Sequence, residues 1–567
     1  MGNGLDELAA DAAPVLFEDS VSHDSDTGAT NVATTTWRPL FSHECTFGPP
    51  IFDSVVDNLI HNPNINSSWL FRADILHDAQ APPPPPRPTT TTTTSGLCAT
   101  CTTPTSGSDS SDRTCTCTSP RTPSFIGFER QRCIVRKLIP RNTLRDAPLD
   151  QTCLLYTGTL PGSNEHDGGA NGDDDTAVER KLVVYLPHVS APSDMPFYHP
   201  KVRGVAFLYE WNQAESRGSV SISYRYFDEG DRSVEKLTRT AHHLVAVILK
   251  HGKGRVEGYT KRVHHDLLLP QARVQNTYTK LKQKHARTLI RGWAESTDPE
   301  KHIFEDLCIA SFLMELWADM YGGPGEKFPG FVDIGCGNGL LVYILIREGF
   351  TGWGFDARSR KSWASYNIKL PSSASASSGE TDDEDSLREL VLLPTPVSRQ
   401  GRSGGISSED FDARNIHDGR FPTGTFIISN HADELTAWTP IIAALSECPF
   451  LAIPCCSHDL TGKLFRAPPP KDKTKAESTY SSFVVWVSSI AEDCGWHVEQ
   501  EMLRIPSTRN TAIVGRKLQQ QSQAADQPSS SPLSSHDVQA IVDKYGGTAG
   551  YLDSVLRLVK KNASSSH

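Results

Sequence analysis

Hydrophobic and polar positions change their period several times along the chain. From about residue 126 to 228, short runs rich in β-branched and aromatic residues (CIVRKLIP, KLVVYLPHV, GVAFLYEW and SVSISYRYF) alternate with polar positions between Gly and Pro breaks. That pattern predicts mostly antiparallel strands. The period then becomes helical: LTRTAHHLVAVILKHG reads as an amphipathic helix stopped by Gly252, and NTYTKLKQKHARTLIRGW as a second. Asp298-Pro299 marks a third helix start, Asp as cap and Pro at the first helical position, with an apolar face of Ile303, Phe304, Leu307, Phe312 and Leu316 running to Trp317. After Gly323-Pro324-Gly325 the chain alternates. FVDIG reads as a strand, LLVYILIREG as a helix, TGWGFD as a strand, and a helix lies near RKSWASYNI. ELVLL and TFIISN follow as strands, then a helix from about 437, the strand FLAIP, a helix near 480–493, and the strands HVEQEMLRI and TAIVGRK. This alternation implies a mainly parallel sheet covered by helices, and the two closing strands imply a hairpin that brings in an antiparallel strand.

Composition changes the picture mainly at the edges. The 567 residues include 41 Gly and 38 Pro, with 37% apolar, so part of the chain lies outside any packed core. The Pro/Thr/Ser tract 81–124 cannot bury enough apolar surface to fold, whereas WRPLF and NINSSWLFRADIL before it read as a short ordered segment. No run approaches the ~18 apolar residues of a membrane span, and the opening MGNGLDELAADAAP has neither the basic start nor the apolar core of a secretory signal. Asp6 stands where a myristoylation signal wants Ser or Thr. The formal charge of −11 is unevenly placed: residues 1–30, NEHDGGANGDDD and GETDDED hold seventeen acids and no Lys or Arg, leaving +6 on the rest. Arg232 to Arg291 carries fourteen Lys/Arg, three acids and six His, the composition of a phosphate-tracking surface or of a solvated helical face. Of thirteen cysteines, Cys98, Cys101, Cys115 and Cys117 are spaced C-x2-C-x13-C-x-C. A metal there stays open, but the low-complexity setting favours disorder, and without a secretory signal the thiols are expected reduced.

The sharpest local signal is Asp333-Ile334-Gly335-Cys336-Gly337-Asn338-Gly339, between an apolar strand and an apolar helix. Glycines permit a tight turn and close approach of a ligand, and the following helix offers unpaired amides. A second strand ends at Asp356, where a carboxylate can accept from ribose hydroxyls. The spacing is G-x-G-x-G rather than the dinucleotide G-x-G-x-x-G. It resembles motif I of class I S-adenosylmethionine-dependent methyltransferases, with nicotinamide-type binding and a structural turn as alternatives. Ser429-Asn430-His431-Ala432-Asp433-Glu434-Leu435 leaves the end of the fourth strand, where this architecture places ligands; its bland reading is a helix cap. Pro454-Cys455-Cys456-Ser457-His458-Asp459 follows the fifth, and since adjacent cysteines chelate one tetrahedral ion poorly, no metal is expected.

The segments TDPEKHIFEDLCIASFLMELW, FVDIGCGNGLLVYILIREGFTGWGFDARSRKSW, SNHADELTAWTPIIAA, FLAIPCCSHDLTGKLFR and LRIPSTRNTAIVG together resemble the tRNA (uracil-2′-O-)-methyltransferase family, which modifies uridine at position 44 of serine tRNA. FYHPKVRGVAF, HGKGRVEGYTKRVHHDLLLPQARVQNTYTKLKQKHA and NPNINSSWLFRADIL extend the resemblance over about 37 to 517, with Ala432 of the NHxDEL element the main departure. The resemblance implies a Rossmann-like α/β class I methyltransferase domain, a mostly parallel seven-stranded sheet with one antiparallel strand. It also implies S-adenosylmethionine as cofactor, serine tRNA as partner, a cytoplasmic location, and no membrane. The expected division is an acidic tail (1–36), a short ordered segment (37–80), the disordered linker (81–124), a β-rich region (125–230), a basic helical tRNA-contacting region (231–292), the methyltransferase domain (293–518, with a disordered insertion at 371–387) and a tail with a short helix (519–567).

For a ribose 2′-hydroxyl the donor methyl is already electrophilic, so alignment and a proton acceptor are what the protein must supply. The candidate acceptors are His431 and Asp433, then His458 and Asp459. The candidate cofactor residues are Asp333, Gly335, Cys336, Gly337, Asn338, Gly339, Asp356 and Asn430. Ile416 and Asp418 are proposed at an adenine edge, and Glu305 near the methionine amine. Candidate tRNA contacts are Tyr259, Lys261, Arg262, His264, His265, Tyr278, Lys280, Lys282 and Lys284 in the basic segment, Arg358, Arg360 and Lys361 beyond the second strand, and Arg504 and Arg509 near the end. A tRNA-binding module without catalysis and a small-molecule methyltransferase are the competing classes. The intact glycine loop speaks against the first and the basic segment against the second.

Overall fold

The computed structural model describes residues 6–7, 37–80, 119–143, 145–160, 177–228, 230–231, 234–259, 265–370, 384–394, 415–470, 478–518 and 535–563. It divides the chain into two compact units, Met1–Thr260 and Lys261–His567. The first unit is one eight-stranded antiparallel sheet built from β1 (Asp6–Glu7), β2 (Arg38–Cys45), β3 (Leu70–Gln80), β4 (Glu129–Pro140), β5 (Leu149–Leu160), β6 (Val178–Pro187), β7 (Gly204–Asn212) and β8 (Arg217–Arg225), in the order β1-β2-β8-β7-β6-β5-β4-β3. Two helices, α1 (Pro49–His61) and α2 (Glu235–Val256), share a core with one face of that sheet. Phe52, Val55, Val56, Leu59 and Ile60 of α1 and Leu237, Ala241, Val245 and Ile248 of α2 meet Val183, Phe207, Tyr209 and Ile222.

Two expectations change here. The segments WRPLF and NINSSWLFRADIL do not form an ordered island of their own: β2 pairs with β8 and β3 with β4, so both belong to the same sheet as the β-rich region. And α2 does not stop at Gly252 but continues to Val256. Gly252 is a contact residue. A Cβ there would lie 2.4 Å from the ring of Phe47, which is itself buried and stacked near Tyr209.

In the second unit, α3 (Gln271–Arg291) packs against α4 (Pro299–Tyr321). The Asp298 side chain accepts from the Glu300 amide, Pro299 opens α4, and Gly322 closes it at φ 86°, as the sequence predicts for the start. The basic stretch is therefore divided between the units, α2 in the first and α3 in the second. Next come β9 (Phe331–Ile334), α5 (Leu340–Arg347), β10 (Gly352–Asp356), α6 (Trp363–Tyr366), β11 (Lys369–Leu370), β12 (Glu384–Asp385), β13 (Leu387–Glu389), β14 (Val391–Leu392), β15 (Ile416–His417) and β16 (Phe426–Asn430). The unit ends with α7 (Thr439–Leu445), β17 (Phe450–Ile453), α8 (Thr479–Asp493), β18 (Trp496–Met502), β19 (Thr511–Leu518), α9 (Ser535–Lys544) and α10 (Tyr551–Ala563).

Its seven-stranded sheet has the order β13-β10-β9-β16-β17-β19-β18. Neighbours from β13 to β17 are parallel, and β19 runs antiparallel to both β17 and β18, which is the closing hairpin anticipated from the sequence. The chain winds from β9 to one side through β10 and to the other through β16. That reversal opens a crevice at the carboxyl ends of β9 and β16. Two boundaries move inward. Glu384–Asp385 pairs with Lys369–Leu370, so the expected insertion is ordered again before residue 387. Residues 535–563 are two helices rather than a tail with one, and Val538, Ile541, Val542, Tyr551 and Val555 join the sheet's own core.

Replacing a helix-interior glycine by alanine ordinarily stabilises by about 1 kcal/mol. At Gly252 the clash with Phe47 outweighs that gain, since overpacking costs about 1–3 kcal/mol. Gly252→Ala should lower the urea midpoint of the first unit, measured by far-UV circular dichroism; a raised midpoint would show that Phe47 yields.

Candidate cofactor and active site

Strand alternation delivers the site. In β9, Val332 and Ile334 join the core on one face, leaving Phe331 and Asp333 on the other, where Trp317 of α4 stacks on Phe331. In β16, Phe426 and Ile428 take the α4 face, so Asn430 does too. Helix α4 meets them with two adjacent acids inside an otherwise apolar stripe. Glu305 is 7% exposed, Asp306 8% and Asp333 2%. Asn430 Nδ2 donates to Asp306 Oδ1 at 3.4 Å, and Glu305 Oε1 lies 3.2 Å from His431 Nε2. Asp333 Oδ1, Ser429 Oγ, Asn430 Oδ1 and His431 Nδ1 are buried with no hydrogen-bond partner among the described residues. Burial, then the neighbouring Glu305 charge, pushes the Asp306 carboxyl up to about 8. Burial, with Asp306 and Asp356 nearby, raises Asp333 well above the usual carboxylate range.

The glycine loop is held from behind. Gly335 and Cys336 amides donate to the Phe355 carbonyl at 2.8 and 2.9 Å. The Gly337 amide donates to Asp356 Oδ2, Trp363 Nε1 to the Gly337 carbonyl, and Ser362 Oγ to the Asn338 carbonyl. Gly335 has φ 70° and a built Cβ would stand 3.0 Å from that of Ala432, so glycine is required twice over. His431 and Asp433 adopt φ of 53° and 43°, left-handed conformations that non-glycine residues hold only under constraint and that cluster at functional sites.

Two cavities adjoin this loop, both reaching Gly335, Gly337 and His431. The first, about 220 Å³, is lined by Phe355, Asp356, Leu392, Leu435 and Tyr551 among others, and also by Arg358 and Arg360. The second, about 400 Å³, gathers Glu305, Asp306, Asp333, Asn430, Cys455 and Arg509. Cys336 and Asn338 line it too; Asn338 Oδ1 also accepts from the Leu340 amide at the start of α5. Its rim holds Lys301 and His302, and His302 stacks on Trp293 with centroids 5.9 Å apart and planes 12° apart.

Other predicted residues are placed elsewhere. His458 and Asp459 line neither cavity. Asp459 Oδ1 accepts from the Thr461 amide and hydroxyl and the Lys463 amide, capping its own turn, and His458 is buried in a bridge to Leu464. Ile416 and Asp418 line neither; Ile416 sits behind Val391 in the β14–β15 pair, and it is Leu390, Val391 and Leu392 that face the first cavity. Gly339 is the cap of α5, packed on Leu387. Asp433 lines the first cavity and accepts from the Cys455 thiol at 2.8 Å; burial and that carboxylate push the thiol up, which opposes metal binding by the Asp433, Cys455 and Cys456 group, since a metal needs the thiolate. Among the proposed tRNA contacts, Lys284 pairs with Glu348 at 2.8 Å, Arg504 with Asp266 at 2.6 Å, and His265 Nδ1 meets the Met502 carbonyl. Lys282 lies over Phe304 and, more distantly, Tyr278. Lys280 and Lys361 are exposed, as is Tyr259, at the end of the first unit, while Lys261, Arg262 and His264 lie outside the described residues. Asp306, Lys301, His302 and Tyr551 were not anticipated; an acid pair within an apolar helical stripe is the signal that could have found Asp306.

A family model described as a TRM44-like, N-terminal bet v1-like domain matches residues 15–262, and one described as a predicted AdoMet-dependent methyltransferase matches 268–375. A Neurospora crassa protein named tRNA (uracil-O(2)-)-methyltransferase is 57% identical over 98% of this chain and 97% of its own. One of the same name from Schizosaccharomyces pombe is 36% identical over 93% and 94%. The chain belongs to the tRNA (uracil-O(2)-)-methyltransferase family. Among solved structures, TnmH is 14% identical over 50% of this chain and 87% of that one, with a TM-score of 0.15, too low to argue from. The chain has a bet v1-like unit followed in sequence by a methyltransferase-like fold, is a methyltransferase, and uses S-adenosylmethionine. Among the described residues, no helix is long and apolar enough to cross a membrane.

The residues fit that cofactor. A methionine carries an ammonium, and the second cavity offers buried carboxylates to which no Lys or Arg is bonded among the described residues, together with orphaned acceptors on Asp333 and Asn430. The sign of the pH effect follows. Asp306 holds its proton up to about 8, above its ordinary 3.8, so stability from this group is present at acid pH and lost as pH rises through 8. An ammonium ligand needs the deprotonated form. Affinity for S-adenosylhomocysteine should therefore climb between pH 6 and 8, by up to about tenfold per unit. Calorimetry across that range checks this, with Asp306→Asn giving a shallower profile, the remaining slope belonging to Asp333, which is also raised; an equal slope in the variant would dismiss Asp306 as the titrating group.

Proposed function

We propose that this chain transfers a methyl group from S-adenosylmethionine to the ribose 2′-hydroxyl of a uridine in tRNA, at position 44 of serine tRNA, in the cytoplasm. We read its second unit as a class I, Rossmann-like catalytic domain. The observation that carries the proposal is the joining of two chemistries in one cavity: buried carboxylates beside the glycine loop, and a rim of Lys301, His302 and Arg509 suited to a phosphodiester. The names of the curated relatives support the tRNA substrate and the uridine.

When bound, the cofactor supplies an electrophilic methyl on a sulfonium. The chain's residues do the rest. Asp333, Asp306 and Asn430 face the methionine end, and Asp356 is placed to accept from ribose hydroxyls while it fixes the Gly337 amide. His431 reaches both cavities. Its imidazole is the group we assign to accept the 2′-hydroxyl proton, with Glu305, 3.2 Å from Nε2, steadying the imidazolium that forms. The stacked His302 and Trp293 offer a flat surface for an unpaired base at the mouth.

Tritiated donor with serine tRNA transcript, followed by nucleotide mapping, tests this reading. The expected product is 2′-O-methyluridine at position 44; label in a base, or tight tRNA binding without label, would overturn the chemistry. His431→Ala should lower kcat by about 10²–10⁴, the usual range for losing an acid–base group, and Asp333→Ala should abolish donor binding. Unchanged kcat in the first variant would remove His431 from the role.

A further inference from the structure

The methyltransferase family model ends at residue 375, yet the wall of the first cavity is completed almost two hundred residues later. Tyr551, Ser554 and Val555 of α10 line it together with Phe355, Asp356 and Leu392. We infer that the C-terminal helix pair is part of the cofactor site, α10 forming the wall against which the adenosine of the donor is held. This rests on the reading of the glycine-loop crevice as the donor site.

The docking of this segment is built, not incidental. Positions 551, 554 and 555 stand three and four apart and so share one helical face. Tyr551 is 2% exposed, its hydroxyl donates to the Leu392 carbonyl at 3.0 Å, and its ring meets Trp438 edge-on. That bond ties α10 to the end of β14, whose Val391 and Leu392 line the same cavity. Helix α9 adds Val538, Ile541 and Val542 to the same core, and Lys544 and Tyr545 both reach Asp493 of α8. On the other side the Asp459 turn presents Gly462 at φ 72°, and a Cβ there would stand 3.3 Å from that of Ser554, so helix and turn approach closely. Gly462 lines the cavity as well. Asp459 thus acts as a positioning residue for this wall.

The chemistry suits a purine nucleoside rather than the methionine end. The unpaired acceptors of Asp333 and Asn430 and the Asp306–Asp333 pair belong to the second cavity, whereas the first offers Asp356 for ribose hydroxyls and apolar side chains (Phe355, Leu392, Leu435, Val555) for a flat ring. Ser554 Oγ donates to the Gly550 carbonyl, which leaves its lone pairs to accept from an exocyclic amine.

The test uses the full chain and S-adenosylhomocysteine as probe. Calorimetry on Ser554→Trp, whose ring would fill the cavity, should show affinity at least about tenfold weaker with an unchanged thermal midpoint, while Ser554→Ala, which loses one neutral hydrogen bond, should weaken it by only a few fold. Hydrogen exchange on the unmodified protein is the second measurement. The probe should slow exchange of the 551–557 amides together with those of 335–339. Protection confined to 335–339, or wild-type affinity in Ser554→Trp while Asp333→Ala loses binding, overturns the inference and leaves the donor site standing. If Asp333→Ala also binds normally, the donor-site reading itself fails.

Discussion

Three buried carboxylates from two elements converge beneath the glycine loop, and among the described residues no Lys or Arg is bonded to them: Asp333 on β9, Asp306 and Glu305 on α4. Nothing in the folding of a soluble sheet calls for this. Burying an acid is unfavourable unless it is paired, and the raised Asp306 and Asp333 carboxyls record that penalty. Asn430 and His431 are the side chains that reach Asp306 and Glu305. The cationic end of the proposed donor would supply the opposing charge, and the position of α4 against β9 and β16 is what makes the cluster possible. The sheet order then decides where the crevice opens, and the loop conformation decides which amides face it.

The same constraint explains the strained backbone at His431 and Asp433. Two left-handed residues in one short turn cost on the order of 1–3 kcal/mol each. They let the chain leave β16 so that His431 can reach Glu305, while the next residue, Ala432, packs against Gly335. The small side chain at 432 and the missing one at 335 are two halves of one contact. A local oddity of the NHADEL element is thus a packing condition of the glycine loop.

Much of this was readable from the residues. The strand-and-helix alternation after residue 330, the Asp298-Pro299 start and the closing hairpin follow from period and capping, because those elements are local and strongly patterned. What escaped was non-local. Helix α1 sits in a segment where PPIFDSVVDNLIH carries the helical spacing, but its apolar face acquires meaning only against the sheet. Gly252 carries the sign of a helix stop and serves instead as a site of close approach to Phe47, a partner two hundred residues away in sequence. At the site, the β9 and β16 ends were legible because the fold places ligands there. Asp306 and Tyr551 were not, since one looks like a helix acid and the other like tail, and only packing brings them in.

Charge shows the same limit from the other side. The basic segment Arg232 to Arg291 stood out by count, yet a count cannot tell a free cation from a bonded one. In the fold, Arg273 is held by Glu315 and Asp319, Lys284 by Glu348, and Lys282 lies over an aromatic ring. Structural ion pairs therefore claim several members of the segment. The cations that reach the candidate site come from other stretches: Lys301 from the first turn of α4, Arg358 and Arg360 from the turn after β10, and Arg509 from the β18–β19 connection. Each was unremarkable by density. They matter because the fold gathers them at the two cavities that adjoin the glycine loop, Arg358 and Arg360 at the first and Lys301 and Arg509 at the second, beside the buried carboxylates.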